Sequence, residues 1–508
     1  MFRFVGAVRL KRVLAVLGAV AGVLAVAVGG GVFWVWRAAE VSTVGAEAFD
    51  TELRVPPVAP SRVRADGTRV FDLRMQAGST EFRPGAATST WGFNGGYLGP
   101  TLRARRGERV EVNVRNGLDE PSTVHWHGMH LPAAMDGGPH QPVPAGGAWT
   151  PSWTVNQPAA TLWYHPHPHG GTEQHVQRGL AGMFLVDDDA TQRLALPHSY
   201  GADDLPLIVQ DVKFRGAQFD HGHAMFRDVG FLGTRTMVNG TLSPYRRVDA
   251  ELVRLRLLNA SAARVYAFGF ADNRDIALVG TDGGLLSHPE TVTRVPLSPG
   301  ERAEVVVRMR PGETAVLRSY PPDGGGGFWG RRFSGGDDCF DVLQLRAARQ
   351  LRPAAPLPAT LTDPELPDAR NAVRKRDFDL AMATINGRGM DMSRVDHTIV
   401  RGTTELWTVR NQDGMPHNFH VHDVQFRVVD MNGAPPLPTL RGPKDTVFLP
   451  AGATATLALR FDGPPDPDHP YMYHCHLLYH EDLGMMGQFV VVEPGQQAGA
   501  PPYSHHGH

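Results

Sequence analysis

Three stretches of this chain repeat one pattern, and the repetition constrains its fold more than any other feature. Gly107 leads into Val114-Arg115-Asn116, Gly402 into Val409-Arg410-Asn411, and Arg256-Leu257-Leu258-Asn259 has the same form. A second marker follows each: Val143-Pro144-Ala145-Gly146, Leu297-Ser298-Pro299-Gly300 and Leu449-Pro450-Ala451-Gly452, every one ahead of a strand-like run. Repeats this long, alternating Val, Leu and Arg and punctuated by Gly and Pro, read as Greek-key β-sandwich domains in which each Asn ends a strand. The 57 Gly and 41 Pro suit the frequent turns of such domains.

The expected class is therefore all-β. One domain per ~150 residues gives about three, placed at 50–190, 204–346 and 377–494 behind an N-terminal membrane segment. Residues 347–376, Pro/Ala-rich from Arg352 to Ala369, read as a surface linker. Gly324 to Gly327 mark an irregular loop of the middle domain. The tail at 495–508, ending His505-His506-Gly507-His508, reads as disordered.

Arg3, Arg9, Lys11 and Arg12 precede an uncharged apolar run of 24 residues from Val13 to Trp36. That length spans a bilayer with the basic flank inside and Phe33, Trp34 and Trp36 at the outer interface. The run is read as an uncleaved anchor. The rival is a cleaved signal peptide, since Ala25-Val26-Ala27 resembles a small-residue cleavage site. Either way the body lies outside the cytoplasm. A formal charge of -2, from 50 basic and 52 acidic residues, gives no field for a nucleic-acid partner, and the chain is read as a monomer.

Nine and eleven residues past the repeated Asn stand His125 and His127 in the first copy, His420 and His422 in the third, and Phe268 and Phe270 in the second. Downstream, Tyr164-His165-Pro166-His167 matches Tyr473-His474-Cys475-His476, and Gly179-Leu180-Ala181-Gly182 matches Gly484-Met485-Met486-Gly487. Strand side chains alternate between faces, so each His-x-His puts two imidazoles on one side. Eight imidazoles, four from each outer domain, can hold three copper ions, two with three ligands and one with two, between those domains.

In His474-Cys475-His476 the same alternation sends the thiolate to the opposite face. A blue-copper centre takes two His, one Cys and a weak axial thioether, which His417, Cys475, His480 and Met485 supply from one domain. An exported chain is free to form disulfides, but its only cysteines are Cys339 and Cys475, so a metal-bound Cys475 leaves none. One isolated His-x-His is weak evidence; four at matching repeat positions, one straddling a Cys, are strong. His130, His140, His169 and His175 fall off the pattern and read as supporting or surface groups.

His-Trp-His-Gly at 125–128, His-Pro-His-Pro-His-Gly at 165–170, His-Asn-Phe-His-Val-His at 417–422 and His-Cys-His at 474–476 resemble the four copper motifs of the multicopper oxidases. The likeness covers nearly all of the chain beyond the membrane segment and is nearest to bacterial three-domain enzymes of the copper-efflux and bilirubin-oxidase kind. It implies cupredoxin-like domains and four copper ions: one type 1, a type 2 on His125 and His420, and a type 3 pair on the other six imidazoles. The implied activity is oxidation of a small reduced substrate with dioxygen as acceptor.

Dioxygen reduction consumes protons, so a buried cluster needs carboxylates. Asp136 and Glu481 resemble family positions that relay them; the bland alternatives are a turn Asp and a solvent-facing Glu. Asp413 and Met415 match residues with which efflux oxidases receive cuprous ion, yet the Met-rich insertion of those enzymes is replaced here by the Pro/Ala-rich linker. Met390 and Met392 read as packing. A laccase-like activity on phenols or aromatic amines, through van der Waals contact with an exposed imidazole edge, is equally open. A copper store would need thiol or Met clusters, and a division or scaffold relative would have lost ligands; none is lost here.

Overall fold

The computed structural model describes residues 2–223 and 228–501; the tail residues His505, His506 and His508, read above as disordered, lie outside them. After a helix at Phe2–Ala38, the chain forms three β-sandwiches. In the first, a sheet around Arg69–Arg83 and Arg109–Gly117 packs on one containing Ala160–His165 and His125–His127. The middle one sets a seven-stranded sheet, with Leu252–Asn259 and Arg302–Arg308, against a five-stranded sheet that includes Tyr266–Phe270. In the third, a five-stranded sheet around Thr404–Asn411 packs on another that carries His417–Val421 and Asp466–His474.

Alternation explains the strands but not always their outer faces. Val110, Val112 and Val114 are buried while their neighbours are at least partly accessible, as in a sheet with one wet face. Leu252–Asn259 is buried throughout. Its arginines face the first sandwich: Arg256 donates to Thr161 Oγ1 at 2.9 Å and to Asp204 at 2.7 Å, and Arg254 pairs with Glu304. A Leu/Arg alternation therefore means core on one side and a domain interface on the other.

The repeated asparagines do one job three times. Each lies at the end of its strand or one residue before it, and donates through Nδ2 to a carbonyl of the second repeat marker: Asn116 to Val143 at 2.9 Å, Asn259 to Leu297 at 2.8 Å and Asn411 to Leu449 at 3.0 Å. Each Oδ1 accepts the amide N–H two residues on, from Leu118, Ser261 and Asp413. Gly182 and Gly487 are also a matched pair, since a Cβ at either would sit 2.2–2.3 Å from the ring or hydroxyl of Tyr164 or Tyr473.

Two segments outside the sheets lean on the middle sandwich. Past the helix, Thr43 donates to the carbonyl of Cys339 at 3.0 Å and Leu53 to that of Tyr245 at 2.7 Å, leaving Cys339 a free, half-buried thiol. The Pro/Ala-rich stretch is pinned rather than loose, with Leu361 buried in the middle core and its N–H on the carbonyl of Ser287 at 2.8 Å. The loop at Gly324 to Gly327 leads into a short helix, Phe328–Phe333.

Asn259→Ala removes three buried hydrogen bonds made by a side chain that is no metal ligand and keeps the backbone carbonyl that holds Gly300, and a cost of about 2–4 kcal/mol is expected from the orphaned partners. Urea denaturation should show this loss with metal content unchanged; an unaltered midpoint would mean the motif is incidental.

Candidate metal centre

Backbone register brings the His-x-His pairs together. In the first sandwich His125 lies opposite His165 across an antiparallel pair, and in the third His420 lies opposite His474. The two outer sandwiches then face each other, and all eight imidazoles are buried. His167, His422 and His474 form one group, with Nε2 of His474 3.3 Å from that of His167 and 3.2 Å from that of His422. His127, His165 and His476 form a second, with ring centroids 4.9 to 5.6 Å apart. His125 and His420 remain as a pair at 5.9 Å. Both groups of three draw on both sandwiches.

The outer nitrogens are committed elsewhere, which leaves the inner ones aimed at the centre. His125 Nδ1 donates to the carbonyl of Asp136 at 3.0 Å, His420 Nδ1 to that of Asp445 at 2.9 Å and His422 Nδ1 to Asp136 Oδ2 at 2.6 Å. His127 is turned the other way, with Nε2 on Asp445 Oδ1 at 3.1 Å and Nδ1 inward. Three inner nitrogens, His125 Nε2, His127 Nδ1 and His420 Nε2, are buried without a hydrogen-bond partner, and His476 Nε2 faces His165 Nε2 at 3.4 Å. Such orphans in a dry site, with nitrogens ~3.3 Å apart, suit ions bound at about 2 Å from each.

Charge supports the same use. Burial, reinforced by neighbouring imidazoles, holds His127, His165, His420 and His422 well below the ordinary histidine range, and burial brings His476 down to about 3. These rings are neutral at physiological pH, the state that ligates metals.

The second cluster is His417, Cys475 and His480. Cys475 Sγ lies 3.7 Å from Nδ1 of each imidazole, and those two nitrogens are 3.1 Å apart. Their outer nitrogens are again capped, His417 Nε2 by Asp413 Oδ2 at 2.7 Å and His480 Nε2 by the carbonyl of Asp228 at 2.9 Å. Burial alone would raise the thiol, but hydrogen bonds from His417 and His480 prevail and bring it down to about 5. A thiolate results. Met485 is fully buried in the same core, its carbonyl accepting from Cys475 N–H at 3.1 Å and its N–H donating to the His480 carbonyl at 2.9 Å.

Asp136 and Glu481 are both 1% exposed, so neither is a surface turn residue or a solvent-facing acid. Glu481 lies 3.0 Å from His167 Nδ1 and 3.2 Å from His474 Nδ1; burial works against its charge, but these two imidazoles outweigh it and hold the carboxyl well below its usual range. Met415 is half-buried, and the N–H of Met382 donates to Asp413 at 2.9 Å, which brings a second methionine to that carboxylate. The expected exposed imidazole edge is absent: His417 and His480 are 0% and 3% exposed, covered by Asp413 and Asp228. Of the off-pattern histidines, His175 is held by Ser122 and Glu120, His140 by Gln488, and His169 is exposed.

Some contributors came from the middle copy, which has no imidazoles to attract attention. Gly300 turns at φ +85 so close to the cluster that a Cβ would meet His127 at 3.1 Å and His476 at 3.2 Å. Arg302 donates to both oxygens of Asp445, at 2.7 and 2.6 Å, and so orients the carboxylate behind His127. Lys444 is buried between Asp282 and Glu301 at 2.9 and 2.8 Å. The Leu-Ser-Pro-Gly marker was the available signal for Gly300; nothing in the spacing signals the ion network.

Two segments, residues 74–191 and 358–495, match the sequence pattern described as multicopper oxidase. A multicopper oxidase from Staphylococcus haemolyticus is 33% identical over 446 residues, 87% of this chain and 92% of the relative. This chain belongs to the multicopper oxidase family. The cell division protein FtsP of Escherichia coli is a relative as well, 35% identical over 451 residues, 86% of this chain and 92% of that protein. Among solved structures, a bacterial laccase-like multicopper oxidase from Ochrobactrum sp. superposes with a TM-score of 0.79 at 37% identity, over 87% of this chain and 100% of that one. Membership implies copper, and the buried, unpartnered nitrogens and the thiolate of this multicopper oxidase fold fit it.

Lys444→Met should cost about 3–5 kcal/mol, because Asp282 and Glu301 would be left buried with no cation between them. Burial already raises the Asp282 carboxyl to about 6. Denaturation of the metal-free protein measures the loss, and no change would show that the network does not brace the interface.

Proposed function

We propose that the chain is an oxidase that takes electrons singly from a small reduced donor near His417 and His480 and passes four of them to dioxygen, giving two waters. Bound copper would supply the one-electron chemistry at the thiolate site and the place where dioxygen is reduced. His417, Cys475, His480 and Met485 would hold the first ion, His125 and His420 the second, and His127, His165, His476 with His167, His422, His474 the remaining pair. One observation carries the reading. The strand end His474-Cys475-His476 touches both clusters, thiolate on one side and imidazoles on the other, so a few covalent bonds link them.

The protein's own groups handle orientation and protons. Asp445 and the carbonyl of Asp136 fix ring tautomers, while Asp136 Oδ2 and Glu481 stand behind the imidazoles as buried carboxylates that can pass protons inward. At the donor side, Asp413 with Met415 and Met382 offers anionic and soft groups to a cuprous ion. A phenol or aromatic amine would instead reach His417 or His480 through their capping hydrogen bonds. We read the N-terminal helix as an uncleaved anchor: Leu14–Ala38 is long and apolar enough to span a membrane, and Trp36 stacks on Phe328 of the body at 5.0 Å. The body then sits on the outer face of the cell membrane.

The relatives named for cell division favour a second reading, a scaffold of the same fold without turnover. Retention of Cys475 and all eight imidazoles favours the enzyme, and oxygen uptake by copper-loaded protein decides between them. Cys475→Ser should bind three copper ions of four, lose the intense thiolate-to-copper absorption and stop oxygen uptake, since a hydroxyl is too weakly acidic to replace the thiolate. Persistent blue colour would sink the assignment. Asp136→Asn can still accept from His422 but cannot ionise, so reoxidation by oxygen should slow by about 10²-fold with donor oxidation nearly intact. Stopped-flow reoxidation at the parent rate would reduce Asp136 to a positioning group.

A further inference from the structure

The end of the N-terminal helix is built into the body. Trp36 stacks on Phe328 with rings 14° apart, and the guanidinium of Arg332 lies 3.9 Å over the Trp36 ring. Beside this joint is a cavity of about 770 Å³, within the size range of small-molecule sites. Val32, Trp34 and Val35 of the helix form one wall, Trp329 and Phe333 of the short helix another, and Met415, two residues before His417, lines it as well.

Two features tie the cavity to electron transfer. Asp228 lines it, and the carbonyl of Asp228 accepts the hydrogen bond of His480 Nε2 at 2.9 Å. Gly414 lines it too, next in sequence to Asp413, which caps His417 Nε2 at 2.7 Å. An occupant would thus stand one hydrogen-bonded residue away from His480, with Gly414 and Asp413 between it and His417.

Two further features say where the occupant comes from. Leu14, Leu17, Val20, Val23 and Leu24 of the same helix are 50–68% exposed with nothing of the body covering them, which in water would be costly and in lipid is not. Phe33 and Trp34 are 63% and 71% exposed where the helix would leave the hydrocarbon, the depth that aromatic side chains prefer. The cavity therefore opens at the outer membrane interface. Its lining is apolar and aromatic apart from Asp228 and Ser334, which can engage hydroxyl groups.

We propose that this cavity is the donor site for a lipid-soluble hydroquinone drawn from the outer leaflet, with the anchor helix as one wall. The proposal rests on the oxidase reading above and assigns its donor. An apolar tail suits the Val and Trp walls, the aromatic ring suits Trp329 and Phe333, and the two hydroxyls suit the polar corner at Asp228. Two hydroquinones release four electrons and four protons on becoming quinones. One dioxygen takes up the same number on becoming two waters, so the exchange balances without another reactant.

The test uses the full-length chain in lipid nanodiscs. Copper-free protein is irradiated with a photoactivatable azido derivative of decylhydroquinone, and labelled peptides are mapped. Label is expected on residues 31–35 and 329–334, displaced by unlabelled decylhydroquinone. Val32→Trp, which fills the cavity from an exposed helix position, and Trp329→Ala, which removes the opposite wall, should each weaken that displacement at least tenfold. Copper-loaded protein should show a KM for decylhydroquinone at least tenfold below that for tailless hydroquinone, and Val32→Trp should abolish the ratio. Labelling elsewhere, or labelling indifferent to both substitutions, overturns the site even if the enzyme oxidises soluble phenols. Cavity labelling without oxygen uptake from any donor overturns the oxidase reading instead, and the donor role with it.

Discussion

Eight imidazoles packed within touching distance cannot all be cations, and the surrounding structure depends on keeping them neutral, aimed and shielded from solvent. Burial does the first, as the depressed pKa of His476 shows. Aim comes from a rule applied repeatedly: one ring nitrogen is spent on a carbonyl or carboxylate, so the other can only point inward. The thiolate cluster obeys the same rule through Asp413 and the carbonyl of Asp228. Without these caps each ring could rotate to satisfy itself, and the inner nitrogens would not be left over.

The middle sandwich, which contributes no imidazole, explains how two outer sandwiches come to share one site. Its Arg256 and Glu304 grip Thr161 of the first sandwich, and its Asp282 and Glu301 grip Lys444 of the third. Gly300, at φ +85, comes so close that a Cβ would crowd His127 and His476 at 3.1 and 3.2 Å. Buried ion networks are weak sources of net stability, because desolvation offsets the attraction, but they penalise misalignment severely. A keystone that fixes registry rather than adding stability is what a site shared across an interface requires.

Much of this was legible in the sequence because the chemistry and the repeat share a period. Asn116, Asn259 and Asn411 each accept from the N–H two residues on and each stand nine and eleven residues before a pair of His or Phe, so the repeat locates the His-x-His strands and the Phe268 and Phe270 that replace them. Strand alternation then places Cys475 opposite His474 and His476. What could not be read was whatever depends on domain docking. Asp136 and Glu481 have no local signature that separates a buried carboxylate from a surface one; the distinction arises only when the third sandwich brings His422 to Asp136. The arginines of Leu252–Asn259 mimic a solvent face and instead line an interface. The covering of His480 depends on docking as well, since Asp228 arrives from the middle sandwich, whereas His417 is covered locally by Asp413 four residues before it.

Capping both outer imidazole nitrogens has a consequence for how electrons can arrive. A donor that needed direct contact with a ring would find none at the thiolate cluster, because neither His417 nor His480 offers an open edge. In the proposed oxidase, electrons would cross a hydrogen bond, and the two capping bonds end on Asp413 and on Asp228. Asp413 is only partly covered, accepts from the backbone N–H of the exposed Met382, and offers an anionic group to a cation. Asp228 faces an apolar cavity walled by the anchor helix. In the proposed oxidase the helix would do more than tether: with its Val and Trp side chains lining the cavity beside Asp228, membrane attachment and donor choice would be a single property of the fold.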